Sequence, residues 1–417
     1  MAGFALVFST IPRTLRALPR VLAVAALSVL MAAPAPLALA ANNSVQGAKK
    51  DEGFHTDAPY AILIDADSGS VLYEKAADQL AAPSSMMKLM TVETVFNEIA
   101  AGRVKLTDQF PISENAWRRG GAPSGGSTMF AAIHSRVPVE DLLRGAIIHS
   151  GNDSCIALAE GIAGNERAFA EMLTKRAREI GLAQATFGNS NGLPDPRNLM
   201  SVRELATLAR HIVRTYPEFY KMFGEREFTW NKIRQFNRNP LLTTMPGADG
   251  LKTGFTKEGG YGLVGSAEQN GTRLIVAING MSDPDDRASE AKKILEWGFH
   301  SFETRPLFEA NQVIGFAKLF GGEKGSVALA SPKSVRVMVQ RNVNEKVIAR
   351  IVYNGPLRAP VQEGQQIGTV KVWRGSAVAL EMPLYAKQAV GTGTLTQRAF
   401  DGASELVIGL VRGAVKM

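Results

Sequence analysis

Short apolar runs stand at both ends of the long first part of the chain, and helical spacing fills the region between them. An apolar run at 60–65, a turn at Asp67-Ser68-Gly69 and a returning run at 71–74 predict a hairpin. Runs at 261–267 and 272–278 flank Asn270-Gly271, a dipeptide that favours a two-residue hairpin turn. Apolar residues recur with helical spacing at 85–99, 139–162, 167–180, 288–299, and from the capping box Ser201-Val-Arg-Glu204 to about 214. This order predicts an α/β domain whose sheet joins both ends, which we place at residues 58–305.

The pattern changes beyond residue 306, where apolar and polar residues alternate over short segments separated by Gly, Pro and Asn. Such segments lie at 327–329, 335–340, 346–353, 368–373 and 378–383. Alternation of this kind is typical of strands with one buried face. We therefore predict a small all-β domain over residues 306–390, followed by a short linker rich in Gly and Thr.

The last predicted element is an amphipathic helix over residues 395–417. Its apolar residues, Leu406 and Leu410 among them, share one face, and charged residues occupy the opposite face: Arg398, Asp401, Glu405, Arg412 and Lys416. These charges interrupt any apolar run long enough to span a bilayer, so we expect the helix to lie on the membrane surface. The alternative is a helix that packs on the β domain, since amphipathic stripes commonly face a protein core.

The N-terminal segment has the composition of a secretory signal peptide. Arg13, Arg16 and Arg20 precede an uncharged apolar stretch at 21–33, and Ala38-Leu39-Ala40 supplies small residues for cleavage. We predict a signal peptide at 1–40 and a polar linker at 41–57, with an uncleaved membrane anchor as the alternative. Either interpretation makes the body of the protein an exported one. Together with the terminal helix, this predicts a periplasmic protein attached to the outer face of the cytoplasmic membrane.

Composition and charge exclude several function classes. The 417 residues include 47 Lys and Arg against 39 Asp and Glu, a net charge of +8, and 45% of them are hydrophobic. That composition is typical of a globular protein, and no basic block provides a footprint for nucleic acid. The single cysteine, Cys155, excludes an internal disulfide, and the five histidines form no cluster with zinc-ligand spacing. We expect no metal, no cofactor and no nucleic-acid partner.

A candidate nucleophile lies at the start of a predicted helix, in the segment Pro83-Ser84-Ser85-Met86-Met87-Lys88. A hydrolase without metal or cysteine needs an activated hydroxyl and a base, and Ser85 and Lys88 would share one helix face. The helix N-terminus would also favour the alkoxide that develops at Ser85. The motif is weak alone, because Ser289 and Lys292 repeat its spacing in a charged helix that we interpret as a solvated face.

Two further motifs follow in order along the chain. Ser150-Gly151-Asn152 comes second, and Lys252-Thr253-Gly254 comes third, followed directly by Phe255. Each of them alone is compatible with a polar turn. The three motifs in this order, with the first opening an apolar helix, resemble those of the penicillin-recognising serine hydrolases.

Within that superfamily the chain resembles the low-molecular-mass penicillin-binding proteins that are D-alanyl-D-alanine carboxypeptidases, from about residue 58 through the terminal helix. The segments 287–298, 359–361 and 363–365 also fit this family. The resemblance implies a β-lactamase/transpeptidase-like α/β (α+β) catalytic domain, a peptidoglycan stem peptide ending in D-Ala-D-Ala as substrate, and β-lactams as covalent inhibitors. Phe255 is a departure, because well-known members carry His there; the departure concerns substrate preference, since the donor needed at this position is a backbone N–H.

The resemblance implies a role for each motif residue. Ser85 would attack the carbonyl between the two D-alanines, and its own N–H and that of Phe255 would form the oxyanion hole. Lys88 would act as the base, its pKa lowered by burial and by the nearby Lys252. The remaining roles are a proton relay by Ser150, orientation of the peptide carbonyl by Asn152, close approach of backbone and substrate at Gly254, and binding of the terminal carboxylate by Lys252, Thr253 and Arg287.

Three alternatives stay open. A class A β-lactamase would use the same motifs but needs a glutamate for deacylation, and the segment 186–195 contains none. A D,D-endopeptidase of the same fold is harder to exclude, although such relatives generally lack both C-terminal parts. A non-catalytic envelope scaffold would bind peptidoglycan through the β domain, and intact Ser85 and Lys88 count against it.

Overall fold

The computed structural model describes residues 7–10, 53–375 and 377–399. Its strands are β1 (Val7–Thr10), β2 (Tyr60–Asp65), β3 (Val71–Lys75), β4 (Gln109–Pro111), β5 (Arg136–Pro138), β6 (Glu227–Trp230), β7 (Ile233–Phe236), β8 (Ala248–Thr256), β9 (Gly260–Gln269), β10 (Thr272–Met281), β11 (Phe302–Phe308), β12 (Val313–Phe320), β13 (Ser326–Ala330), β14 (Val335–Gln340), β15 (Val347–Tyr353), β16 (Leu357–Arg358), β17 (Gln366–Arg374) and β18 (Ala377–Ala386). Its helices are α1 (Lys88–Ala100), α2 (Glu114–Gly120), α3 (Val139–Ile148), α4 (Asn152–Ala163), α5 (Glu166–Glu179), α6 (Val202–Thr215), α7 (Pro217–Tyr220), α8 (Leu241–Thr244) and α9 (Pro284–Ser301), and short 3-10 turns lie at Ser84–Met87, Ala122–Ser124 and Lys221–Gly224.

A five-stranded antiparallel sheet forms the centre of the first domain, in the order β3-β2-β10-β9-β8. β2, near the start of the domain, pairs with β10, near its end, and Ile64 lies opposite Ile275. The prediction that one sheet joins the two ends of this domain is confirmed. β8 is the outermost strand on one side, and no other described strand pairs with its outer edge.

The sheet separates two apolar cores. Ile62 and Ile64 belong to a large core shared with α1 and the other helices, whereas Leu63 belongs to a smaller core that includes residues of α9. Side chains of a strand alternate between its two faces, so helices on both faces explain why 61–64 is apolar throughout. α9 approaches so closely that a Cβ at Gly298 would lie 2.6 Å from Leu63 Cδ2. The close packing on both sides fixes the position of the sheet between the helices.

The helical spacing over 139–162 is divided between two helices, α3 and α4. The break lies at Ser150, whose φ of +65° is outside the right-handed helical region. Two tertiary hydrogen bonds of 2.8 Å hold the break, from Gly151 N–H to the Gly145 carbonyl and from Asn152 N–H to the Ser127 carbonyl. The second sequence motif therefore lies on a sharp turn at the start of α4.

The second domain is all β, as predicted, and contains two sheets. The larger sheet has the order β1-β15-β17-β18-β13-β12-β16, and β11 pairs with β14 in the smaller one. The alternating segments identified β13, β14, β15, β17 and β18. They missed β12, which contains a glycine, and β11, which follows α9 without a turn and contains Pro306 beside a register shift. The strands of this domain therefore begin at Phe302, before the predicted boundary at 306.

The C-terminal end of the predicted linker at 41–57 is packed on the first domain. Thr56 Oγ1 donates a hydrogen bond of 2.6 Å to Glu290 Oε2, and the Phe54 ring stacks on Trp297 with centroids 4.3 Å apart. Both partners lie on α9. The segment from Phe54 onward is therefore part of the domain rather than of a linker.

The Gly- and Thr-rich stretch after residue 390 is also not a free linker, because Val390 pairs with Val361 and Thr392 pairs with Gly322. Residues 395–399 are helical, and the rest of the predicted terminal helix, 400–417, lies outside the described residues. Of the predicted signal peptide, the structure describes only β1, which pairs in parallel with β15. Within the described ranges, no helix is both long and apolar enough to cross a membrane.

Candidate active site

Ser85 and Lys88 meet where the 3-10 turn Ser84–Met87 passes into α1. Lys88 Nζ donates a hydrogen bond of 2.8 Å to Ser85 Oγ. A second hydrogen bond runs from Lys88 Nζ to the backbone oxygen of Asn191. Lys88 is completely buried, whereas Ser85 is partly exposed. The structure therefore presents a hydroxyl that a substrate can reach, in direct contact with an amine that water cannot.

Burial lowers the pKa of the Lys88 ammonium to about 8, because the charged form loses its hydration. Among the neighbouring groups, Cys155 and Asp153 raise that pKa and Arg238 lowers it. Burial, and then repulsion from Lys88, also hold the pKa of Lys252 well below its ordinary value. Repulsion between two amines is mutual, so the two groups titrate as a coupled pair. A neutral amine next to Ser85 is therefore accessible near neutral pH.

A group of cations surrounds Lys252 on β8. The charges of Lys88, Arg238 and Arg287 all lower its pKa, which places the four groups close together. Among the described residues, no carboxylate forms a salt bridge with Lys252, Arg238 or Arg287. An anionic ligand here would relieve the repulsion between the cations. The site is therefore suited to a substrate that ends in a carboxylate.

Gly254 brings the edge strand β8 against the turn that carries Ser85. A Cβ at this position would lie 3.0 Å from both Met86 N and Pro83 O, which only a glycine avoids. Thr253 is buried beside it, and Phe255 follows on the same strand. An extended peptide can pair with an open strand edge through main-chain hydrogen bonds. The close packing thus holds the free edge of β8 next to Ser85, where a bound peptide would lie.

Ser150 and Asn152 come from the turn between α3 and α4. Ser150 Oγ and Asn152 Oδ1 are buried, and neither has a hydrogen-bond partner among the described residues. Ser150 makes no hydrogen bond to Ser85 or Lys88 within the described structure. Buried polar atoms are nearly always paired in native proteins, so these two atoms indicate a site that a ligand completes.

Phe255 and Arg287 both contact the Tyr261 ring on β9. Phe255 is 49% exposed, and its ring stacks on Tyr261 with centroids 4.1 Å apart. The Arg287 guanidinium carbon lies 5.7 Å from the Tyr261 ring centroid, within the range of a cation–π contact. Arg287 Nε has no hydrogen-bond partner among the described residues. The interaction with Tyr261 supports Arg287 while leaving its hydrogen-bonding capacity for another group.

Arg238 and Asp153 also belong to the site, although the sequence motifs predicted neither of them as a functional residue. Arg238 donates a hydrogen bond of 2.6 Å to Ser127 Oγ and contacts His149 Nε2 at 3.3 Å. The buried Asp153 carboxylate accepts hydrogen bonds from Thr128 Oγ1 and from several backbone N–H groups, Met129 among them. Arg238 has no sequence signal, whereas Asp153 directly follows the second motif. We interpret Asp153 as a positioning residue that fixes the loop beside α4.

The arrangement suits acyl transfer by an activated serine. No carboxylate among the described side chains forms a hydrogen bond with Ser85 or Lys88. The second partner of Lys88 Nζ is the backbone oxygen of Asn191. The described residues also contain no group of His, Cys, Asp and Glu that could hold a metal ion. The amine of Lys88 is therefore the base that lies closest to the hydroxyl.

Comparison with protein families agrees with this chemistry. Residues 45–282 match the family model described as D-alanyl-D-alanine carboxypeptidase. The chain belongs to the D-alanyl-D-alanine carboxypeptidase family. Residues 302–392 match the C-terminal domain of penicillin-binding protein 5, which corresponds to the all-β domain of this carboxypeptidase. The family and the activity that the sequence motifs predicted are confirmed.

Individual relatives cover most of this carboxypeptidase. The D-alanyl-D-alanine carboxypeptidase DacC of Escherichia coli is 36% identical over 370 residues, which are 88% of this chain and 91% of the relative. DacA of Haemophilus influenzae is 39% identical over 312 residues, 74% of this chain and 79% of the relative. The crystal structure of penicillin-binding protein 5 from Haemophilus influenzae matches with a TM-score of 0.72 and 36% identity, covering 81% of this chain and 98% of that one. The likeness thus includes both domains.

Proposed function

We propose that this carboxypeptidase removes the terminal D-alanine from peptidoglycan stem pentapeptides through an acyl-enzyme on Ser85. The observation that carries the proposal is the 2.8 Å hydrogen bond from the buried Lys88 amine to Ser85 Oγ. Because the pKa of Lys88 is lowered to about 8, the neutral amine is accessible without an additional base. The remaining groups of the site bind the substrate and stabilise the charge that develops on it.

In acylation, Lys88 accepts the Ser85 proton while Ser85 Oγ forms a bond to the carbonyl carbon between the two D-alanines. The Ser85 and Phe255 N–H groups stabilise the oxyanion. The C–N bond then breaks, and a proton reaches the leaving nitrogen by way of Ser150, whose buried hydroxyl has no other partner among the described residues. Free D-alanine departs, and the rest of the peptide remains as an ester on Ser85.

Substrate orientation follows from the charges around β8. Lys252, Thr253 and Arg287 bind the terminal carboxylate. Arg238, whose charge acts on Lys252, adds a fourth group that attracts the carboxylate. The side-chain amide of Asn152, whose Oδ1 is buried without a partner among the described residues, orients the peptide bond that precedes the scissile one. In deacylation, the Lys88 amine activates water, the ester bond breaks, and the proton returns to Ser85. A β-lactam enters the same cycle as an acylating agent and carries its own carboxylate to the cation group.

We further propose that the enzyme acts outside the cytoplasmic membrane. The predicted signal peptide exports the chain, and the predicted amphipathic helix at 395–417 attaches it to the outer face of the membrane. A surface-bound enzyme would meet stem peptides as they are built into the wall.

The decisive substrate experiment compares two pentapeptides that differ only at the terminus, one with a free carboxylate after D-Ala-D-Ala and one with an amide. We expect release of D-alanine from the acid, and a kcat/KM for the amide lower by at least about tenfold, because the cation group would lose its anionic partner. Equal rates for the two peptides would favour a D,D-endopeptidase. No release from either, with no β-lactam adduct, would favour a non-catalytic scaffold.

A further inference from the structure

A cleft of about 440 Å³ lies between the two domains. On the first domain its walls are the turn between β2 and β3 and one face of α6. On the second domain its walls are the turn between β13 and β14, the start of β14, and part of β18. None of the described residues that line it belongs to the three sequence motifs. A ligand in this cleft would therefore contact both domains without touching Ser85.

Four cationic side chains line the cleft, two from each domain, and we call them the cleft cations. Arg210 and Arg214 are four residues apart on α6, so they share one helix face. Lys333 and Arg336 come from the turn before β14 and from β14 itself. Within the described ranges, none of the four forms a salt bridge with a carboxylate. Because like charges repel, an anion in the cleft would stabilise this arrangement.

The two arginines are oriented by backbone oxygens, which hold a guanidinium group without neutralising its charge. Arg210 donates hydrogen bonds of 2.7 Å from Nε to the Ala66 carbonyl and from Nη2 to the Asp67 carbonyl. Arg214 Nη1 donates to the same Asp67 carbonyl. Arg210 Nη1 and Arg214 Nη2 form no hydrogen bond within the described structure. Both side chains are thus positioned in advance and keep N–H donors for another partner.

Two carboxylates also reach the cleft, and they leave an excess of positive charge. Glu381 is already paired, because Lys371 Nζ lies 3.0 Å from its carboxylate. Asp67 is exposed and forms no salt bridge among the described residues. One free carboxylate against the cleft cations leaves more positive charge than a singly charged ligand would neutralise. A phosphate monoester carries about two negative charges at neutral pH and accepts paired hydrogen bonds from guanidinium groups.

The rest of the wall is apolar or aromatic. Pro332 lies on one side, and Met382, Pro383 and Tyr385 lie on β18. A cleft of this volume is in the range that binds small organic molecules. These side chains would contact the organic part of a ligand and bury apolar surface. The cleft therefore suits a phosphate ester better than inorganic phosphate.

We propose that the interdomain cleft is a binding site for a phosphate monoester, whose phosphate group bridges the cleft cations of the two domains and whose organic part packs on Met382 and Pro383. A soluble ester and a lipid headgroup both present this chemistry. The ligand holds the two domains together at the cleft and takes no part in the covalent steps at Ser85. The inference is independent of the proposed function, because it uses none of the residues of the active site.

The test is a calorimetric titration of the full mature enzyme with phenyl phosphate. We expect a Kd below about 1 mM, with inorganic phosphate weaker by about fivefold through lost apolar contact. Benzoate has the same ring but one negative charge, and it should bind weaker by at least about tenfold.

The variant Arg214→Gln/Lys333→Gln removes one exposed cation from each side of the cleft. It should weaken phenyl phosphate binding by at least about tenfold, because charged hydrogen bonds are lost. Lys105→Gln/Lys175→Gln is the matched control, since it removes two exposed cations of the first domain that do not line the cleft. It should keep the original affinity. An unchanged rate of β-lactam acylation in both variants would show that they are folded.

A second titration distinguishes the two sources of the ligand. It uses phosphatidylcholine vesicles with and without phosphatidic acid. If the cleft variant loses affinity for phosphatidic acid vesicles while the control keeps it, the ligand is a lipid headgroup. If only phenyl phosphate binding depends on the cleft variant, the ligand is a soluble ester. The proposal is overturned if the cleft variant binds both probes as the control does, or if benzoate binds as tightly as phenyl phosphate.

Discussion

At the residue scale, the chemistry depends on a lysine that is buried and has no carboxylate partner. Two hydrogen bonds hold Lys88 Nζ, one to Ser85 Oγ and one to the Asn191 carbonyl. Both partners accept a hydrogen bond from a neutral amine as well as from an ammonium group, so the site does not require the charged form. Burial and Arg238 then favour the neutral form that a base needs.

The pH dependence of acylation should report this lysine. Because Lys88 must be neutral and its pKa is about 8, kcat/KM should rise about tenfold per pH unit on the acid side and level off above about pH 8. Burial lowers the pKa of Lys252 as well, so the ascending limb of the pH–rate profile reports the titration of both amines rather than of Lys88 alone. The measurement is the second-order rate of β-lactam acylation against pH. A profile without an ascending limb on the acid side of pH 8 would contradict the role of Lys88.

Arg238 should set the position of that limb. Its charge lowers the Lys88 pKa by repulsion, so Arg238→Gln should raise that pKa and move the ascending limb to higher pH. Arg238→Lys keeps the positive charge and serves as the matched control, with the limb in its original place. If both variants lower the rate equally at every pH, Arg238 acts on binding or structure and not on the Lys88 pKa.

At the scale of elements, the site depends on how closely the edge strand β8 packs against the turn before α1. The contact is made at Gly254, where backbone atoms of Met86 and Pro83 leave no room for a side chain. The same strand provides Lys252, Thr253 and Phe255. A small separation of strand and turn would therefore displace the Phe255 N–H, the proposed oxyanion donor on β8, relative to Ser85 while leaving both elements folded.

Gly254→Ala should test this packing. The new methyl group would lie 3.0 Å from Met86 N and from Pro83 O, so the strand must shift by a few tenths of an ångström. We expect β-lactam acylation to slow by about tenfold or more, because reacting groups lose their alignment. Gly325→Ala is the control, since nothing lies within 4 Å of a Cβ there. A Gly254→Ala enzyme with unchanged acylation would show that the close contact is not needed.

The sequence predicts those elements whose signals are local. The capping box between Ser201 and Glu204 is present at the start of α6, and the Asn270-Gly271 turn joins β9 to β10. The break between α3 and α4 does have a local signal, because the polar run at 149–154 interrupts the apolar pattern there, whereas the hydrogen bond from Asn152 N–H to the Ser127 carbonyl is formed only by tertiary packing. Arg238 and the Asn191 carbonyl reach Lys88 only through tertiary packing, so their part in the site leaves no local pattern.

At the scale of the whole molecule, the two domains contact each other away from the motif residues. Arg374 of the β domain donates hydrogen bonds to the Val71 carbonyl on β3, at 3.1 Å, and to the Met338 carbonyl, at 3.2 Å. Ser70 donates to the Ala379 carbonyl across the same interface. β3 and β8 are opposite edges of the five-stranded sheet, so these contacts of the β domain lie at the edge farthest from β8.

Removal of residues 395–417 should separate membrane attachment from catalysis. The truncated chain keeps Val390 and Thr392 in their pairings with the β domain, so we expect it to fold. It should remain in the supernatant when membranes are sedimented at moderate salt, while the full-length mature enzyme sediments, and both should be acylated by a β-lactam at the same rate. If the truncated enzyme unfolds, or if the full-length form stays in the supernatant, the helix packs on the protein and the attachment proposal fails.

Intact mass of the protein after reaction with a β-lactam, followed by mapping of the modified peptide, identifies the nucleophile. We expect one adduct per chain, located at Ser85, absent in Ser85→Ala and retained in Ser289→Ala. Ser289 is the control because it repeats the motif spacing on α9, where its hydroxyl bonds to the Asp285 carbonyl at 3.0 Å and Lys292 pairs with Glu296 at 3.6 Å. An adduct of the same stoichiometry on Ser85→Ala, or loss of the adduct in Ser289→Ala, would contradict the assignment of Ser85 as the nucleophile.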